Sequence, residues 1–123
     1  MSEAETSEKS ESESKKSSEA KALYKAGFDR LVKGDAEGAI SHYREAIAAD
    51  GSLAIAWNGL SMALAKQGDL EAAIEAAEKL VELEPDEPLS HTNLSRILMQ
   101  NGKIPEAEDA RAKAMGLQMK GGS

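Results

Sequence analysis

At 123 residues the chain has room for one small domain with a core of its own. Hydrophobic residues make up 41% of it but aromatic ones only 3%, which favours closely packed helices over sheets, and a net charge of −7 argues against nucleic acid as a partner. Cysteine is absent, which excludes disulfides, thiol catalysis and cysteine-ligated zinc and fits a cytoplasmic setting; no apolar run approaches the roughly 20 residues of a membrane span or forms a leader's apolar segment.

The first stretch, MSEAETSEKSESESKKSSE, has no Leu, Ile, Val, Phe, Tyr or Trp. With nothing to bury, it has no core contribution to set against the entropy of ordering, so residues 1–19 read as a disordered Ser/Glu-rich tail. Apolar spacing of helical period then predicts helices over about 20–33, 36–49, 54–67, 70–83, 88–101 and 104–117. The helix pairs repeat. Gly34, Gly68 and Gly102 are 34 residues apart, and the same offset links Leu23, Trp57 and His91, then Gly27, Ser61 and Ser95, then Ala39, Ala73 and Ala107, then Ala46, Leu80 and Ala114. Agreement at turn, small and large positions together defines repeats over about 20–53, 54–87 and 88–121.

Each copy follows one plan. The first helix ends on a Gly suited to the left-handed cap, Asp35 or Asp69 caps the second helix, and Pro105 takes a first-turn position in the third copy. Pro85 stops the second copy and Gly51 the first. Gly27, Ser61 and Ser95 are expected to face Ala39, Ala73 and Ala107, letting paired helices approach closely.

The segment AWNGLSMALAKQGDLEAAIEAAEKLVELEP resembles a tetratricopeptide repeat at Trp57, Leu60, Leu64, Gly68, Ala73 and Pro85. It departs at Ser61, Ala77 and Leu80, where that family usually has Gly, an aromatic and Ala. The first copy keeps Gly27, Gly34, Ala39, Tyr43 and Ala46, and the third keeps Leu94, Gly102, Ala107 and Ala114. The resemblance implies an all-α fold of three stacked helix-turn-helix units in a short right-handed superhelical solenoid, with first helices lining a concave groove.

No catalytic constellation, metal site or cofactor motif assembles. His42 and Glu45 share a helix face but supply too few ligands for a metal, and His91 stands at a large apolar position of the repeat, so both histidines read as structural. Glu71, Glu75, Glu78 and Glu82 form a solvated face. Charge is divided by helix type. First helices hold Lys21, Lys25, Arg30, Lys33, Lys66 and Arg96 against Asp29, whereas second helices hold nine acids and four bases.

Carried over by the resemblance, the groove positions are Tyr24, Phe28, Leu31, Ile55, Asn58, Met62, Leu89, Asn93, Arg96 and Met99; Lys25 is added for its positive charge, and the partner-binding set is Tyr24, Lys25, Phe28, Asn58, Met62, Asn93, Arg96 and Met99. Asn58 and Asn93 are expected to hydrogen-bond a partner's backbone. The family's Lys/Asn clamp for the acidic tails of Hsp70 and Hsp90 falls on Tyr24, Phe28, Gly59, Leu89 and Asn93, none of which conforms. At the other end, Ala107, Ala110, Ala114 and Leu117 are expected to stay partly exposed and to invite self-association. The functional expectation is a non-enzymatic module that holds a peptide or helix of another protein in its groove, as adaptor or assembly chaperone. Its alternative is a structural subunit of a homo-oligomer or larger complex, docking through the terminal repeat.

Overall fold

The structure of the protein is a computed structural model that describes the backbone of residues 3–121 and the side chains of residues 12–121. Six helices follow one another: α1 (Glu3–Val32), α2 (Ala36–Ala49), α3 (Ala54–Gln67), α4 (Leu70–Leu83), α5 (Pro88–Gln100) and α6 (Ile104–Gly121). Each odd-numbered helix packs on the even one after it, α3 packs on α1 and α2 and α5 on α4, so three hairpins stack in sequence order. Among the described residues there is no strand.

The turns follow the 34-residue plan. Gly34, Gly68 and Gly102 adopt φ of 88°, 86° and 76°, a left-handed conformation that a side chain would strain. Asp35 accepts from the Gly38 backbone N–H at 2.9 Å and from Arg30 at 3.1 Å, and these contacts hold its carboxyl below the usual carboxylate range. Asp69 occupies the same cap position on α4 but makes no side-chain cap bond. Gly51 does not need left-handed backbone; Asp50 turns the chain there by binding Ser52, and the Trp57 indole donates to the Gly51 carbonyl at 2.8 Å.

The helix expected to start near residue 20 starts at Glu3. Residues 1 and 2, part of the tail expected to be disordered, lie outside the described residues. Extending a helix that is already anchored avoids the cost of nucleation, and Ser, Glu and Lys tolerate solvent on every side, with Glu13–Lys16 and Lys15–Glu19 at favourable helical spacings. Packing still begins where composition changes: Ala20 is fully buried, whereas the side chains of 12–19 are exposed except for half-buried Ser17.

The core is alanine-rich and arranged around one large ring. Tyr43, fully buried on α2, stacks on Tyr24 of α1 with ring centroids 5.6 Å apart. A Cβ built on Gly27 would lie 2.8 Å from the Tyr43 ring and 3.2 Å from the Ala39 carbonyl, and one on Gly59 would lie 2.7 Å from the same ring. Two glycines on α1 and α3 therefore make the space the tyrosine fills. In the third hairpin the expected close approach is tied by Ser95, whose hydroxyl donates to the Ala107 carbonyl at 2.7 Å. The alanines Ala107, Ala110 and Ala114, expected to be partly exposed, are instead buried. α6 turns them toward its own hairpin partner, and only Leu117 remains half-buried.

Two outcomes follow from the Tyr43 packing. Gly59→Ala gains about 1 kcal/mol of helix propensity but drives a methyl into the ring at about 1–3 kcal/mol, so its melting temperature falls, whereas Gly116→Ala, with open space around it, raises that temperature. Burial pushes the Tyr43 phenol up to about 12, with Tyr24 adding to the shift. The neutral ring thus contributes stability that is fully present below the unfolded value of about 10 and is lost as pH rises through about 12. Its hydroxyl has no hydrogen-bond partner among the described residues. Tyr43→Phe is therefore at least as stable as the parent near pH 7 and loses much less stability between pH 10 and 12 in denaturant titrations.

Candidate partner-binding groove

The first helices of the three hairpins present repeat-equivalent side chains in rows. Phe28, Met62 and Arg96 are 34 residues apart and stand on α1, α3 and α5; Ile55 and Leu89 form a second row, and Ala65 and Met99 a third. Five of these are large exposed apolar residues: Phe28 (48%), Met62 (44%), Ile55 (48%), Leu89 (70%) and Met99 (44%).

Between α3 and α5 the surface divides into two clefts. One, of about 310 Å³, is lined by Ile55, Asn58, Leu80 and Leu89, with Glu84 and Glu87 at its edge. The other, of about 200 Å³, is lined by Met62, Ala65 and Ile97 together with Lys66, Asn93, Arg96 and Gln100. The residues dividing them are Asn58 and Asn93, one contributed to each cleft.

Asn58 and Asn93, expected from the sequence to hydrogen-bond a partner's backbone, are bonded to each other. Asn93, almost fully buried, donates from Nδ2 to Asn58 Oδ1 at 2.8 Å and to Ser61 Oγ at 3.0 Å, while Ser61 donates to the Asn58 carbonyl at 2.8 Å. Both donors of Asn93 are consumed by this bridge. Asn58 Nδ2 and Asn93 Oδ1 make no hydrogen bond among the described residues, leaving an amide donor group and a carbonyl acceptor at the bridge. A peptide group offers the matching acceptor and donor.

The other candidate positions separate into groups. Tyr24 is half-buried between Phe28 (centroids 6.3 Å) and Tyr43, so its ring supports the groove wall, and burial raises its phenol's pKa. Lys25 is exposed but stands at the repeat position of Gly59 and Asn93, which places it at the N-terminal edge and not among the cleft residues. Met62, Asn93 and Arg96 share one cleft; Met99 lies outside both lining sets. Sequence reasoning passed over Lys66 and Gln100, although Lys66 follows Met62 by one helical turn and so shares its face.

A further cavity, of about 620 Å³, lies away from these rows, lined by Glu37, Ile40, Ser41, Arg44 and Glu45 of α2 with Leu64, Gln67 and Asp69. His91 is buried and its Nε2 meets the Pro85 carbonyl at 2.7 Å, a structural bond; His42 sits on α2 with a buried Nδ1 that has no hydrogen-bond partner among the described residues. Among the described residues no group of three or more His, Asp or Glu side chains is placed to hold a metal ion, and no helix is long and apolar enough to cross a membrane.

Three stacked helix hairpins with a furrowed row of first helices define an all-α repeat solenoid. Two family models described as tetratricopeptide repeat match residues 24–88 and 64–113, and the chain belongs to that family. No curated protein sequence matches it. Among solved structures the chain is similar to MamA, with a TM-score of 0.81, 24% identity and 86% of this chain aligned; it spans 62% of MamA's length. The second tetratricopeptide domain of Spaghetti (RPAP3), solved with the HSP90 peptide SRMEEVD, aligns at TM-score 0.81 and 24% identity over 87% of this chain and 98% of that domain. The Yersinia enterocolitica type III secretion translocator chaperone SycD aligns at TM-score 0.75 and 23% identity, over 80% of this chain and 74% of its own. At these identities the likeness concerns the fold.

Proposed function

We propose that the protein is a cytoplasmic adaptor or assembly chaperone that holds a peptide or helical segment of another protein along α1, α3 and α5, and that it performs no chemistry of its own. The observation that carries this reading is the pair of clefts on either side of the Asn58–Asn93 bridge. Two apolar side chains of a bound segment enter the clefts, and the backbone between them meets the free donor of Asn58 and the free acceptor of Asn93. Exposed Met62 and Met99 adapt to differing side chains because thioethers are flexible and polarisable.

Charge gives the segment a direction. Lys66 and Arg96 rim one cleft, and Glu84 and Glu87 rim the other, so an acidic residue of the partner favours the α3 and α5 C-terminal end. The chain's charge of −7 keeps nucleic acid out of the reading. Spaghetti's bound acidic peptide and SycD's role as a translocator chaperone support the general class of activity. The Hsp70/Hsp90 clamp is not part of the proposal, because Phe28 and Leu89 stand where it needs polar side chains.

The test is binding by folded variants to a partner recovered by affinity capture. Phe28→Ala and Met62→Ala each weaken the complex by about 2 kcal/mol without lowering helix content. Lys25→Glu slows association most at low salt, where screening is weakest, and Glu75→Lys on the outer face leaves affinity nearly unchanged. Loss of binding in the outer-face variant with both groove truncations intact contradicts the reading.

A further inference from the structure

Helix α6 buries Ala107, Ala110 and Ala114 against its hairpin and turns a different stripe outward. That stripe is Ile104, Glu108, Arg111 and Met115, spaced 4, 3 and 4 residues apart, and Met119 extends it by a further turn. All five are exposed, and Ile104, Met115 and Met119 are 46%, 52% and 76% accessible. At the equivalent positions of the earlier hairpins, buried Ile40 and Ile74 match Glu108 and buried Tyr43 and Ala77 match Arg111, with Tyr43 against Gly59 of the next unit; half-buried Ala36 and Leu70 match Ile104, and half-buried Ile47 and Val81 match Met115. The apolar ends of the face are kept, and its centre is replaced by one acid and one base. Neither Glu108 nor Arg111 forms an ion pair among the described residues.

We propose that this face is a homodimer interface, in which α6 packs antiparallel against α6 of a second copy about a two-fold axis passing between Asp109 and Ala110. In that register Ile104 of one copy meets Met115 of the other, and Glu108 meets Arg111. Each contact occurs twice because the interface is isologous. The stripe is thus complementary to itself in both charge and apolarity, and the alternating 4–3–4 spacing is that of a helix–helix seam. Head-to-tail stacking lacks this complementarity. Gly59 meets Tyr43 across the first inter-unit boundary, so in a continued solenoid the equivalent Lys25 of a second copy would meet Arg111, and Asp29 would approach Glu108. Like charges oppose at both positions. The inference is independent of the groove reading, since α6 contributes nothing to either cleft between α3 and α5.

A pair of helices this short buries less than the roughly 1,200 Å² of a stable standard interface, so the dimer is weak, with Kd on the order of 10–100 μM. Sedimentation equilibrium of the full chain across that range tests it. The parent is expected to show a monomer–dimer equilibrium. Glu108→Arg and Arg111→Glu each place like charges in register and weaken it by about tenfold or more, while the double exchange Glu108→Arg/Arg111→Glu restores parental affinity. Circular dichroism checks that each variant keeps its helix content. A second measurement does not depend on those charges. The chain has no cysteine, so Ile104→Cys protein mixed with Met115→Cys protein gives a disulfide-linked heterodimer on mild oxidation. Each variant alone gives little, because like positions lie about 16 Å apart in this register, too far to bridge. A parent that stays monomeric throughout, single exchanges without effect, a double exchange that fails to restore association, or cross-linking no greater in the mixture than in the separate variants each overturns the proposal.

Discussion

Tyr43 sets the spacing of the first half of the molecule. Its ring occupies volume that exists only because Gly27 on α1 and Gly59 on α3 carry no side chain, and the Tyr24 ring closes it from above. One residue therefore fixes three helices at once. The second inter-unit boundary solves the same problem with the sizes exchanged: Ala77 stands at the Tyr43 position and Asn93 at the Gly59 position. Large against small becomes small against medium, and Ser61, at the Gly27 position, fills part of the volume that the tyrosine ring takes at the first boundary. The exchange has a chemical result. It places an amide at the boundary between α3 and α5, where it is almost fully buried and must be satisfied, and the bridge to Asn58 and Ser61 is how it is satisfied.

That bridge connects packing to the proposed function. It divides the furrow into two clefts, ties α3 to α5 and leaves an amide donor group and a carbonyl acceptor open at the dividing line. The same repeat logic reaches the third hairpin, where the position of Tyr43 and Ala77 becomes Arg111 and that of Ile40 and Ile74 becomes Glu108. The surface that joins successive units is converted there into one that opposes a further identical unit and suits its own two-fold image. With the groove on the first helices and the dimer face on α6, a dimer would offer two grooves, and a partner carrying two segments would gain avidity without any new contact.

Much of this was legible in the sequence because tandem repeats encode the same local decisions three times. The 34-residue period, the three glycines and the apolar spacing gave α2, α3 and α4 to the residue, and α5 to within one. What escaped had specific causes. The α1 extension to Glu3 depends on helix propagation through a polar segment, which hydrophobic periodicity cannot register. The burial of Ala107, Ala110 and Ala114 was misread because alanine spacing marks a close contact without saying which neighbour makes it. The rows Phe28–Met62–Arg96 and Ile55–Leu89 followed from the period, whereas the Asn58–Asn93 bond joins residues 35 apart and appears only when α3 and α5 are placed side by side.

The methionines allow the central claim to be read directly. Met62 and Met99 lie on the first helices and Met115 and Met119 on α6, so their methyl groups report the groove and the dimer face separately. Methyl-labelled methionine spectra, recorded at fixed protein concentration while a captured partner segment is titrated in, distinguish the two. The Met62 and Met99 signals should shift saturably on one common binding curve, while Met115 and Met119 keep their positions. Saturable shifts confined to Met115 and Met119, with Met62 and Met99 unmoved, would show that partners are held at α6 and not in the groove.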